Sequence, residues 1–283
     1  YISVTGVQTC ALPILWSYNP QTGYWTWQSG DDIPNQCANW GAKGVTAASN
    51  KPQAREGAAT WTSLDGRLWL FGGYGLSGCE TNITYYLYND LWSYDPSSGF
   101  WTWQGGDSIP NQSESIHDAR GLASPNNKPP CTNSAFWTGN DGLLWLMTGN
   151  ELWSYDTQSG YWTWYGGESI FGANGNYGSL GVPSSSSWPS SRLRASSWTN
   201  SDGKLWLFGG EGNYGGFLND LWSFDPQSKN WTWQGGDTLG VKLGIYGTKG
   251  IGTTTNKPRA RAAASSPVIL LILLPVGSVM SQM

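Results

Sequence analysis

The chain has 283 residues and a formal net charge of −4, with 20 Trp, 39 Gly, 15 Pro, 4 Cys and a single His. Only 12% of residues are charged, about half the usual ~25%, so a basic nucleic-acid binder is excluded. The aromatic content excludes a disordered chain, the absence of a strict glycine period excludes collagen, and one His cannot build a His-based metal cluster.

In chain order, the first segment stands apart. Val4 to Ile14 reads VTGVQTCALPI, the in-frame translation of a widely used sequencing-adapter oligonucleotide. Residues 1–14, with Cys10, are therefore expected to be a non-native leader and take no part in the fold reasoning. From Leu15 a repeat begins, and internal repeats constrain a fold more than any local signal. LWSYNPQTGYWTWQSGDDIPNQ starts at Leu15, LWSYDPSSGFWTWQGGDSIPNQ at Leu91, LWSYDTQSGYWTWYGGESIFG at Leu152 and LWSFDPQSKNWTWQGGDTLGV at Leu221. A second segment alternates with it: WTSLDGRLWLFGG from Trp61, WTGNDGLLWLMTG from Trp137 and WTNSDGKLWLFGG from Trp198.

Each unit predicts four short strands. Gly57 to Thr62 is a small-residue run before the Asp65-Gly66 turn. Leu68 to Phe71 is an apolar run expected to end at Gly72-Gly73, Leu91 to Tyr94 ends at Asp95-Pro96, and Phe100 to Trp103 ends at Gly105-Gly106. Aromatic and β-branched runs bounded by Gly, Pro and Asp are strands joined by tight turns. No apolar helical period of useful length occurs within the repeats. Tandem four-stranded antiparallel units point to an all-β propeller.

Pro52 and Arg55 with Gly72-Gly73, Tyr94 and Trp101 form a pattern similar to the kelch motif. So do Trp137 with Gly149, Tyr155 and Trp162, and Pro189 with Gly209-Gly210, Phe224 and Trp231. The chain thus resembles kelch-repeat β-propellers, including the central domain of galactose oxidase. That resemblance implies a narrow innermost strand lining a channel, with indole rings filling the wedges between blades. The region 15–265 is expected to be an arc of three complete blades with partial blades at both ends. Such an arc would leave strand edges and Trp-rich faces open, an aggregation hazard, and the chain expressed alone is expected to be insoluble. Residues 266–283 are expected to be an aberrant hydrophobic tail, since the apolar part from Pro267 to Met280 is shorter than a membrane helix needs.

The functional surface is expected on one rim. The connections after the outer strand are long, as is Tyr74 to Tyr88, and all of them should emerge on one face. Long loops in compact domains are usually functional. Trp40, Tyr74, Tyr177 and Trp188 are the candidate contacts there. Such a surface suits a protein partner, with a glycan as the alternative, and no cofactor is implied. Of the cysteines, Cys79 is placed to pair with Cys37 or Cys131, which would mark an oxidising compartment. Sequons at Asn82 and Asn111 tilt the same way, toward secretion, with the cytoplasm as the alternative.

Catalysis finds no support. His117 lies in a polar loop, the carboxylates mostly occupy turns, and no phosphate loop opens a helix. The Asp or Glu after each WTWxGG (Asp107, Glu168, Asp237) is read as a turn device. The expectation is a non-catalytic binding scaffold, or the propeller part of a larger enzyme or adaptor.

Overall fold

The computed structural model describes residues 2–3, 15–32, 36–76, 85–111, 114–131, 135–168, 172–212 and 215–262. The fold is all-β, with four antiparallel sheets. The first holds β1 (Ile2–Ser3), β2 (Leu15–Asn19) and β3 (Tyr24–Ser29). Its β1 lies in the expected leader and pairs with the edge of β2. The second holds β4 (Ala59–Thr62), β5 (Leu68–Leu76), β6 (Tyr85–Asp95) and β7 (Phe100–Gly105) in that order. The third holds β8 (Ala123–Ser124), β9 (Ala135–Thr138), β10 (Leu144–Thr148), β11 (Glu151–Asp156) and β12 (Tyr161–Gly166), and β8 flanks β12. The fourth holds β13 (Ser196–Thr199), β14 (Leu205–Glu211), β15 (Phe217–Asp225) and β16 (Asn230–Gly235).

The turns follow from their residues. Asp95, Asp156 and Asp225 each accept a backbone N–H two residues on, at 2.9 Å, the Asx turn that short carboxylates favour. The glycine pair behaves differently from the sequence expectation. Strand β5 runs through Gly72 and Gly73 to Leu76, and the register shifts between Phe71 and Gly73. The pair is a bulge, not an end. A Cβ on Gly73 would stand 2.6 Å from the Glu56 carbonyl oxygen, so only glycine fits.

The sheets pack side by side in chain order, in a propeller-like arrangement. One face of the second sheet (Trp61, Trp69, Phe71) meets one face of the third (Leu144, Trp153, Trp162). The other face of the third (Trp137, Trp145, Met147) meets the fourth (Leu207, Trp222, Trp231). Inner strand β9 lies between β4 and β13 and neighbours both. The indole of Trp61 donates to the Trp145 carbonyl at 3.0 Å, and that of Trp137 to the Trp206 carbonyl at 2.7 Å. Each buried indole removes about 150–250 Å² from water, a gross gain on the order of 4–6 kcal/mol before entropy costs. Trp25, by contrast, is 57% exposed on the open face of the first sheet, whereas its counterparts Trp101, Trp162 and Trp231 are buried.

The connections after β3, β7, β12 and β16 fold as arms. Each closes on itself through a bridge: Asn39 with Lys51, Ile116 with Lys128, Asn176 with Trp188, Ile245 with Lys257. The first three dock on the outer strand of the next sheet. Gly44, Gly121 and Gly181 donate to the carbonyls of Trp103, Trp164 and Trp233 at 2.7–2.8 Å. Asn50 and Asn127 each donate both to their own arm and to the outer strand, at Trp101 and Trp162. Wedges between radial sheets widen outward, and the arms fill that width.

Candidate functional site

Three of the four rim candidates are engaged in this packing. Trp40 lies 5.2 Å from the rings of both Trp92 and Trp103. Tyr177 packs on Trp222 and Trp233, and its hydroxyl donates to Asp220 at 2.9 Å. Trp188 donates from Nε1 to the Asn150 carbonyl at 2.5 Å. Tyr74 is the exposed one, at 37%. Cys37 is disulfide-bonded, while Cys131 is a buried free thiol, which removes it from the expected pairing with Cys79. Cys79 and Asn82 lie outside the described residues. Asn111 is exposed, and its side-chain oxygen accepts the Leu87 N–H at 2.9 Å. His117 stacks on Trp164 at 3.7 Å. Asp107 is more than a turn residue: it accepts from Asn89 and from Lys128, each at 2.8 Å, and pins the base of an arm. Asp237 does the same with Asn219 and Lys257.

Two buried ion pairs went unrecognised in the sequence. Arg55 pairs with both oxygens of Asp90, donates to the Gly72 carbonyl at 3.0 Å and lies 4.5 Å over Tyr88. Arg192 meets Asp220 at 2.7 and 2.8 Å and the Gly209 carbonyl at 2.9 Å. Burial raises the Asp220 carboxyl, but the Arg192 charge and hydrogen bonds outweigh it and hold the group below the usual carboxylate range. The signal was the joint recurrence of Arg before the inner strand and Asn-Asp before LWS. These pairs are closed to ligands and act as fasteners.

A more open surface lies where the arms run into the inner strands. Here Glu56 bridges Tyr74, and Leu193 bridges Glu211 at the equivalent place in the fourth sheet. Tyr74 lies 6.5 Å from Tyr85. The Glu56 carboxylate takes the Tyr74 hydroxyl hydrogen bond and, with burial, raises its pKa, while the Arg194 charge acts on it in the opposite sense. Arg194 is 65% exposed, and its guanidinium stands 3.5 Å from Glu211. Its φ is +55°, in the left-handed region, where the second sheet has Gly57 at +66°. Along the inner strands β4, β9 and β13, a cavity of about 420 Å³ is lined by uncharged groups, among them Thr60, Thr62, Phe136, Thr138, Ser197 and Thr199. Among the described residues no cluster of three metal-ligating side chains occurs, and no helix is long and apolar enough to cross a membrane.

No family model and no curated protein matches the sequence. Among solved structures, the chain is similar to YjhT with a TM-score of 0.45 and 14% identity, over 82% of this chain and 62% of that one.

Proposed function

We propose that the chain is a kelch-type propeller segment that works as a binding scaffold. It takes a protein partner where the arms run into the inner strands, through an acidic group that meets Arg194. The kelch reading rests on the repeated Arg, Gly-Gly and Asn-Asp positions and on the tryptophans between sheets. The carrying observation for the site is the backbone of Arg194. A non-glycine residue in left-handed backbone costs roughly 1–2 kcal/mol, and such strain clusters where function requires it. The exposed Glu211 pair returns about 0–1 kcal/mol, so the fold gains little from this arginine. An exposed guanidinium whose charge is felt at Tyr74 suits a carboxylate, which it can bind in bidentate fashion.

The test is fluorescence anisotropy with labelled acidic peptides and their amidated counterparts, against wild type, Arg194→Gly and Tyr74→Ala. Wild type should bind the acidic set, and Arg194→Gly should weaken binding tenfold or more, the scale of one charge-assisted bond. Equal binding by Arg194→Gly would overturn the proposal. Binding of neutral oligosaccharides alone, lost in Tyr74→Ala, would favour a glycan reader, the reading that the exposed Tyr74 and Tyr85 rings support.

A further inference from the structure

The third sheet lacks the fastener of its neighbours. Glu151 holds the place of Asp90 and Asp220, and it is 1% exposed. No arginine stands at the place of Arg55 and Arg192, since the sequence after Cys131 reads Thr132-Asn133-Ser134, and Arg120 of this arm lies over the Trp188 ring, 5.8 Å from its centroid. Thr148 stands where the sister sheets have Gly72 and Gly209, whose carbonyls receive the arginines. Ser115 donates to Glu151 Oε1 at 3.0 Å, but Oε2 is buried without a hydrogen-bond partner. Thr148 Oγ1 and Trp153 Nε1 are buried beside the same carboxyl group and act on it, but neither comes within hydrogen-bond distance of it or of any other partner. In the sister sheets the matching indoles, Trp92 and Trp222, donate to their carboxylates at 2.7 and 2.8 Å. The groups acting on Glu151 are Ser115 and His117 from the arm, Thr148 from β10 and Trp153 from β11. Of these, His117 alone can carry a positive charge. It occupies the arm position from which Tyr177 reaches Asp220.

We infer that Glu151 is a proton-operated latch on the arm of the third sheet, held shut over the neutral carboxylic acid and loosened when the proton leaves to solvent. A buried carboxylate without a cation is costly, while the neutral acid needs no counter-ion. Burial pushes the Glu151 carboxyl up, and Ser115, Trp153, His117 and Thr148 offset this only in part. A group raised on folding contributes stability that is complete below its unfolded value and is lost as pH rises through its folded value. The arm should therefore close at weakly acidic pH and loosen toward alkaline pH.

The test is native-state hydrogen exchange on the full chain, corrected for intrinsic chemistry, from about pH 5 to about pH 8. The amides of Ile116, Gly121 and Lys128 fasten this arm. Those of Asn176, Gly181 and Trp188 fasten the next arm, beside the Arg192–Asp220 pair, and serve as the internal reference. Protection of the first set should fall tenfold or more relative to the second, the effect of about one unit of pKa difference. Glu151→Gln, which keeps the shape without the charge, should remove the fall. Parallel behaviour of the two sets in the wild type would overturn the latch, as would a fall that survives in Glu151→Gln. Should that variant fail to fold, the wild-type comparison decides by itself.

Discussion

Lys229 and Arg194 both hold left-handed backbone, at φ +59° and +55°, where the sister repeats carry Gly23, Gly99 and Gly160 in the first case and the second sheet carries Gly57 in the other. The same strain has different compensation. Lys229 lays its ammonium 5.4 Å from the Trp145 ring and 4.9 Å from that of Tyr165, across the junction between sheets. Burial there pushes its pKa down, against the pull of Asp141 and Asp225. A cation over two rings returns roughly 0.5–2 kcal/mol, which about cancels the strain. Lys229→Gly should therefore leave stability within about 1 kcal/mol of wild type. Arg194 has only an exposed ion pair, so Arg194→Gly should stabilise the chain by about 0.5–1 kcal/mol. Urea denaturation of the two variants checks both numbers. A destabilised Arg194→Gly would mean that this arginine serves the fold, and would remove the strain argument for the site.

Among elements, the inner strands carry the junctions. Trp137 reaches from β9 to a carbonyl of β14, and its ring is buried among residues of both sheets. Trp137→Phe loses that bond, worth about 1 kcal/mol, and leaves unfilled volume costing roughly another 1–2 kcal/mol. A loss of about 2–3 kcal/mol in chemical denaturation is expected. A loss near zero would show that the junction is held by the outer rings instead. The strands were legible because period-two aromatic runs between Asp-Gly and Asp-Pro turns permit little else. The Gly72-Gly73 bulge was not, because a glycine pair reads the same whether the chain turns there or shifts register. The arms looked like open loops because their closure is polar and distant. Asn50-Lys51-Pro52 and Asn127-Lys128-Pro129 do recur, but the partners of the lysines, Asp31 and Asp107, lie at the far end of each arm. Tyr74 stood out by its long loop. Arg194 did not, since a left-handed φ is invisible in composition and shows only when its repeat is aligned on Gly57.

Across the whole molecule, opposite titrations meet at one junction. The third sheet shares its Trp145 and Met147 face with the fourth, so loosening either one weakens the same core. Asp220 in the fourth sheet is held below its usual value by Arg192 despite burial, and its contribution is lost as pH falls through that lowered value. Glu151 in the third is raised by burial, and its contribution is lost as pH rises through the raised value. The melting temperature should therefore pass through a maximum at weakly acidic pH, with a separate cause for each limb. Glu151→Gln should flatten the alkaline limb and leave the acid limb in place, because Asp220 and Arg192 are untouched. Calorimetry between about pH 3 and about pH 9 measures both limbs. If Glu151→Gln shifts the acid limb instead, the two carboxylates are coupled through the shared core, and the sheets cannot be treated as separate titrating units.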